Sequence, residues 1–180
     1  MLAGVAVLAV LALHGALWVA LKTAGEIEVR ARRVAGVVWW GVLILVNLLT
    51  MASFRVQPRL QASFAARPWG WVFPVLAVVA LLAAAIMNRR LQERAAFLAS
   101  SLFLAAMLVS VAFGLYPCVL PSNGDPARSL TIANASAAPY GLRIGLVWFI
   151  PGMLLTAAYF VYAYRSFAGK VRLEERLGML

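Results

Sequence analysis

Charge is scarce in this chain. Only 12% of its 180 residues are Asp, Glu, Lys or Arg, and 64% are hydrophobic, against about 25% charged in an ordinary soluble domain. Such a chain cannot hide its apolar surface inside a water-soluble globule. The single cysteine, Cys118, excludes an internal disulfide framework and any cysteine-rich metal site. The single histidine, His14, excludes a bis-histidine haem site, a two-histidine metal cluster and a histidine relay within the chain. The six acidic residues are Glu26, Glu28, Glu93, Asp125, Glu174 and Glu175, and none falls inside an apolar run. The intramembrane carboxylates that mark proton and ion paths are thus missing. There is no GxxxGK nucleotide loop and no serine, histidine and carboxylate set placed to act together. A net charge of +10 would suit nucleic acid, but the 16 Lys and Arg residues are scattered between apolar runs. No basic stripe with interleaved aromatics appears, so nucleic acid is set aside as a partner.

Long apolar runs are what the chain does have. Five reach the roughly 20 residues needed to cross a bilayer: 2–21, 34–54, 69–88, 95–116 and 142–164. Helix is the form each must take, because lipid offers no partner to a free backbone N–H or C=O. Strands suit the runs poorly, since polar and apolar residues do not alternate and Ala and Leu dominate. The first run has no positive segment before it and no small-x-small cleavage site before Lys22, so it reads as a span and not as a signal peptide. The fold class is all-α membrane, with five transmembrane helices, the last four forming a four-helix bundle and span one packing less completely.

The loops predict an orientation. Eleven basic residues follow spans one, three and five: Lys22, Arg30, Arg32, Arg33, Arg89, Arg90, Arg94, Arg165, Lys170, Arg172 and Arg176. Five lie on the other side: Arg55, Arg59, Arg67, Arg128 and Arg143. By the positive-inside rule the richer side is cytoplasmic, with the N-terminus outside and the C-terminus inside. Trp69, Trp71, Tyr116 and Tyr140 then lie near the outer interface, and Trp18, Tyr162 and Tyr164 near the inner one, depths that amphipathic rings prefer. In the charged segment 22–33, Glu26 precedes Arg30 by four residues, a pairing that predicts a short helical extension of span one. Segment 55–68 carries Pro58 and Pro68, with Phe54, Leu60 and Phe64 spaced for a surface-lying turn. The longest loop, 117–139, holds the turn pairs Asn123-Gly124 and Asp125-Pro126. Loops of this length without structure of their own are often functional.

Each polar residue has a functional and a bland reading. His14 could bind haem or carry protons, but a lone histidine in a span more often hydrogen-bonds a neighbouring helix. Asn47 could line a path, and again interhelical bonding is favoured. Ser100, Ser101 and Ser110, with Ala105, Ala106 and Gly114, give span four a small-residue face suited to close packing more than to a polar conduit. Met107 and Met153 read as filler before axial ligands. Asn134-Ala135-Ser136 matches a glycosylation sequon, a match too short to carry meaning. In the long loop, Asn123, Asp125, Arg128 and Asn134 are candidates for loop contacts. No catalytic, cofactor-binding or metal-binding residue is assigned.

Three stretches carry a resemblance. HGALWVALKTAGEIEVRARR (14–33) is similar to a helix end and following basic segment that reads H-G-A-x-x-x-x-L-K-T-E-G-E-x. SSLFLAAMLVSVAFGLYPCVLPSNGDPARSLTIANASAAPYGLRIGL (100–146) has a span ending F-G-x-Y-P, then P-S, then S-L-T-I-x-N-A-S, then Y-G-L before a last span. The tail YRSFAGKV (164–171) is a weaker third match. This pattern resembles subunit II of cytochrome bd-type quinol oxidases, in its C-terminal part. Ala24 stands where that family commonly has Glu, which weakens any role for that carboxylate here.

The resemblance implies a membrane subunit of a complex that oxidises quinol, reduces oxygen to water and builds a proton gradient. The b- and d-type haems and the quinol site would belong to subunit I, with no cofactor in this chain. Its expected role is assembly and packing against the haem-bearing subunit, in a bacterial-type cytoplasmic (inner) membrane beside lipid and the quinone pool. The family's chain is about twice this length, so the missing N-terminal half of subunit II is a further expected partner, and the chain reads as a fragment or as half of a split subunit. Two other readings remain open. Pro151-Gly152 could break span five as transporter helices break at a substrate site, or the chain could be a purely structural membrane protein.

Overall fold

Thr23, Ala24 and Gly25 interrupt what would otherwise be one long helix. In the computed structural model, which describes residues 1–122 and 125–170, helix α1 spans Leu2–Lys22 and helix α2 spans Glu26–Val56. Gly25 between them has φ +75°, a conformation that side chains disfavour. Glu26 and Glu28 follow in the first turn of α2, where carboxylates complement the helix dipole. The Glu26–Arg30 pair, 3.0 Å apart, therefore starts the second helix and does not extend the first. That is a correction to the sequence expectation, and Gly25 is its cause.

Val56 ends α2, and Pro58 opens a short helix, α3 (Pro58–Ala66), at the first helical position, where its missing N–H is no loss. A 3-10 turn, Pro68–Trp71, leads into α4 (Val72–Arg89), and α5 is Glu93–Leu115. The α4–α5 turn is a Schellman closure: Gln92 N–H donates to Met87 O (3.0 Å) and Leu91 N–H to Asn88 O (3.3 Å). Leu91 sits at φ +60°, in the place where glycine is usual.

The molecule divides into two units, Met1–Tyr116 with Lys170 and Pro117–Gly169. In the first, α1 lies along α2, α4 lies along α5, α1 meets α5, and α2 meets α4 more lightly. The buried faces are Ala6, Leu13, Leu17 and Ala20 on α1, and Ala31, Ala35, Trp39 and Val42 on α2. On α4 they are Ala77, Ala80, Leu81 and Ala84, and on α5 Ala96, Ser100, Phe103 and Ala106. Such small residues at helical spacing let backbones approach closely, which is what drives packing in lipid. Within this unit spans one to four pack together. The expectation that span one packs less completely is corrected. Its physical reason is the Ala6–Leu13–Leu17–Ala20 stripe on α1, which is buried against α2 and α5.

In the second unit a two-stranded antiparallel ribbon, β1 (Cys118–Leu120) with β2 (Leu130–Thr131), flanks a 3-10 turn at Pro126–Arg128. The long loop thus has structure of its own. Helix α6 (Pro139–Ser166) follows with none of its residues buried. It runs unbroken past Pro151, so the helix break on which a transporter reading would rest is not there. Among the described residues five helices, α1, α2, the Pro68–Arg89 segment, α5 and α6, are long and apolar enough to cross a membrane. The chain is an all-α integral membrane protein.

Candidate functional site

The polar groups of the first unit gather in two places. At one end, the start of α2, the last turn of α4 and the start of α5 meet. Arg32 donates through Nη2 to the carbonyl of Asn88, and Asn88 Nδ2 donates back to the carbonyl of Arg32 at 3.2 Å. The Arg32 side chain is 10% exposed, with Glu28 4.0 Å from its Nη1, and among the described residues that nitrogen has no hydrogen-bond acceptor. Lys170 Nζ donates to Glu93 (2.7 Å) and to Glu28 (3.2 Å). Two carboxylates this close would repel, and the ammonium between them offsets the repulsion. The hydrogen bond to Glu93 is the chief reason the Lys170 ammonium is held above its ordinary value. These contacts join the starts of α2 and α5 and the end of α4 to one another and to Lys170, which makes the group a clamp.

The second place lies within the helices. Ser100 Oγ–H donates to Phe97 O at 2.7 Å, which commits the hydroxyl proton. His14 Nδ1, 2.8 Å from Ser100 Oγ, is therefore the donor in that contact. Phe97 stacks on the imidazole at 4.7 Å between centroids and also meets Trp18 at 5.0 Å. His14 thus ties α1 to α5. Trp39 Nε1 does the same between α2 and α4, donating to Leu81 O at 2.8 Å. Asn47 donates to Leu43 O of its own helix (2.7 Å) and not to another helix, a departure from the interhelical role expected.

Opposite the ionic clamp, α3 and the 3-10 turn pack on the end of α5 through rings. Phe64 contacts Phe54, Trp71 and Phe113, and Trp69 meets Phe113 edge-on. Gly70 has no room for a side chain: a Cβ there would lie 1.9 Å from the Phe113 ring. Arg67 lies over Phe113 and Tyr116 at 5.2 and 5.0 Å.

In the second unit Asn134 organises the loop. Its Oδ1 accepts from Thr131 N–H (2.6 Å), its Nδ2 donates to Ser129 O (3.0 Å), and its own N–H donates to Thr131 Oγ1 (3.2 Å). Ser129, buried, accepts from Ser122 N–H. Asp125 Oδ1 accepts from Ala127 N–H at 2.9 Å, and Arg128 N–H donates to Asp125 O at 3.0 Å. Asn123 lies outside the described residues. His14 and Asn47 belong to one unit, and Asp125, Arg128 and Asn134 to the other.

The Arg32–Asn88 and Lys170–Glu28–Glu93 contacts escaped the sequence reading. Glu28 and Arg32 stand four apart, a signal available beside the Glu26–Arg30 pair. His14 Nδ1 bonds Ser100, and among the described residues no three of His, Cys, Asp and Glu gather.

These features, helices tied by a few internal hydrogen bonds, a folded loop and a last apolar helix, cover the same stretch that matches a known family. Residues 1–167 match cytochrome bd terminal oxidase subunit II. The chain belongs to this family. It is 28% identical over 174 residues to cytochrome bd ubiquinol oxidase subunit 2 of Bacillus subtilis, covering 92% of this chain and 49% of that one. It is 26% identical over 205 residues to cytochrome bd-I ubiquinol oxidase subunit 2 of Escherichia coli K12, covering 97% and 53%. A probable cytochrome oxidase subunit 2 of Haemophilus influenzae matches at 26% over 196 residues, covering 95% and 52%. The chain spans about half the length of the curated relatives it matches.

Proposed function

We propose that this chain is the C-terminal part of the non-haem subunit of a quinol oxidase, and that it works by packing against a haem-bearing subunit. In that complex, oxidation of quinol is coupled to reduction of oxygen to water, with the b- and d-type haems held by the partner. The observation that carries the proposal is the family match over residues 1–167. The internal chemistry supports it: His14, Trp39 and Asn88 spend their donors on other helices of the same unit, and Glu28 and Glu93 are held by Lys170. Such a chain supplies scaffold, and the electron chemistry lies elsewhere.

The remaining half of a full-length subunit II, joined to this chain or separate from it, is the second partner proposed. The N-terminus faces out and the C-terminus faces the cytoplasm of a bacterial inner membrane, because eleven of the 16 basic residues follow spans one, three and five. Two experiments test these points. Membranes carrying subunit I and the upstream half should consume oxygen on addition of quinol when this chain is co-expressed, and lose that activity when it is omitted; equal activity without it would sink the proposal. Cysteines placed at Arg55 and at Arg165 should react with an impermeant thiol reagent from outside and inside respectively, and the reverse would overturn the orientation.

A further inference from the structure

The two strands of the loop ribbon are out of step. Cys118 pairs with Thr131 and Leu120 with Leu130, so a step of two on β1 meets a step of one on β2. That is a β-bulge at Val119, and a bulge re-aims the side chains around it. In a regular strand Cys118 and Leu120 would share a face, since alternate residues do. Here Cys118 lies opposite Thr131 and is buried, as is Ser129, while Leu120 lies opposite Leu130 and is exposed. Ile132, two residues after Leu130, adds to the same apolar surface. Leu120, Leu130 and Ile132 are 62%, 44% and 51% exposed, so the bulge gathers aliphatic side chains on the outside of the ribbon.

The tether of the ribbon sets its level. Helix α5 has 23 residues, about 34 Å at 1.5 Å per residue, just over the roughly 30 Å of bilayer hydrocarbon. Pro117 comes two residues after its last residue, Leu115, which is about 7 Å of chain at most. Ile132 N–H donates to Pro117 O at 3.0 Å, so the returning strand is held to that level too. The headgroup layer on each side of the hydrocarbon is about 5–8 Å deep. Tyr116 and Tyr140, both exposed, bracket the loop, and such rings prefer that depth. Segment 118–132 contains no aromatic residue, and Asp125 and Arg128 are its charges, one of each sign. The aromatic anchors on which protein interfaces depend are thus missing from the ribbon, and its charges favour neither sign of partner.

We propose that the aliphatic face of this ribbon lies on the membrane, with Leu120, Leu130 and Ile132 seated among lipid headgroups and the tops of the acyl chains. The partner is the bilayer surface. The inference needs only that α5 and α6 span a membrane, and it does not depend on the oxidase reading. Polypeptide of another subunit is the competing cover.

The test uses the protein with its co-purifying subunits in phosphatidylcholine nanodiscs. Leu120→Cys, Ile132→Cys and Ala127→Cys are each labelled with a nitroxide, and collisions with oxygen, which concentrates in lipid, and with a water-soluble nickel chelate are read by electron paramagnetic resonance. All three positions are exposed, so the labels should leave the fold intact. Cys118 is 7% exposed, so the parent protein supplies the labelling background. Labels at 120 and 132 should collide preferentially with oxygen, and the label at 127, in the turn at the far end of the ribbon, with the nickel chelate. A preference for the nickel chelate at either 120 or 132 would overturn the proposal by placing the face in water. Few collisions with both reagents there would also overturn it, by showing a cover of polypeptide.

Discussion

Removing the Ser100 hydroxyl should unfasten α1 from α5 by an amount that can be worked out beforehand. Ser100 is 2% exposed, donates to Phe97 O and accepts from His14 Nδ1 at 2.8 Å. Hydrogen bonds between transmembrane helices contribute about 0.6 kcal/mol on average and up to about 1.7 kcal/mol. A buried donor left unmatched adds desolvation of about 1–3 kcal/mol in a dry site. In a membrane the unfolded reference state also finds partners for such groups, which keeps the measured loss below that sum. Ser100→Ala should therefore lower stability by about 1 kcal/mol. His14→Phe keeps an aromatic ring on Phe97 while removing the donor, and should lower it by a similar amount. The double variant separates the bond from its surroundings, because once one partner is gone the second change should do little. A coupling of about 1 kcal/mol is expected. The assay is SDS titration in mixed micelles, followed by the fluorescence of the six tryptophans. Single effects that simply add, with coupling under about 0.3 kcal/mol, would refute the reasoning that His14 serves as a tie.

Three further outcomes are expected. Leu91, largely exposed at φ +60°, occupies a glycine position, and Leu91→Gly should raise stability by about 1 kcal/mol in the same titration; a loss would contradict the strain argument. Gly70→Ala should lower stability by about 1–3 kcal/mol, because its methyl would enter the Phe113 ring, and adding Phe113→Leu should recover part of the loss in a thermal unfolding scan. Lys170 is held above its ordinary value by Glu93, so its contribution is complete below the ordinary lysine value of about 10.4 and fades only as pH rises through the raised one. The stability difference between the parent and Lys170→Gln should accordingly be constant from about pH 6 to pH 9 and shrink in stronger alkali; a difference that vanishes near neutrality would contradict the clamp.

The helices were legible from run length alone, since lipid leaves the backbone one way to satisfy itself. Where each helix starts was harder. The charged segment 22–33 looks continuous by its i,i+4 pair, and only the positive φ at Gly25 places the break before Glu26. How fully span one packs was misjudged for a related reason. The stripe Ala6, Leu13, Leu17 and Ala20 is visible in the sequence, but in an apolar helix every face resembles a packing face, so the stripe has no polar side to contrast with. The pairing of His14 with Ser100 lies 86 residues apart, and helix register is set by packing that no local pattern records. Asn47 went the other way: its short side chain reaches its own i−4 carbonyl, a local bond that competes with any partner across the interface. The loop contacts of Asn134 are local too, and an asparagine beside Thr131 and Ser129 is the kind of signal that could have been read.

The central claim is that this chain is a scaffold half-subunit joined to a haem-bearing partner. The most direct measurement is to tag it, express it beside subunit I and the upstream half of subunit II, extract in mild detergent and record the spectrum of what the tag retains. The account predicts haem b and haem d bands that travel with the tag and disappear from the eluate when the tagged chain is omitted. A folded chain eluting without haem while subunit I is present in the same membrane would contradict it.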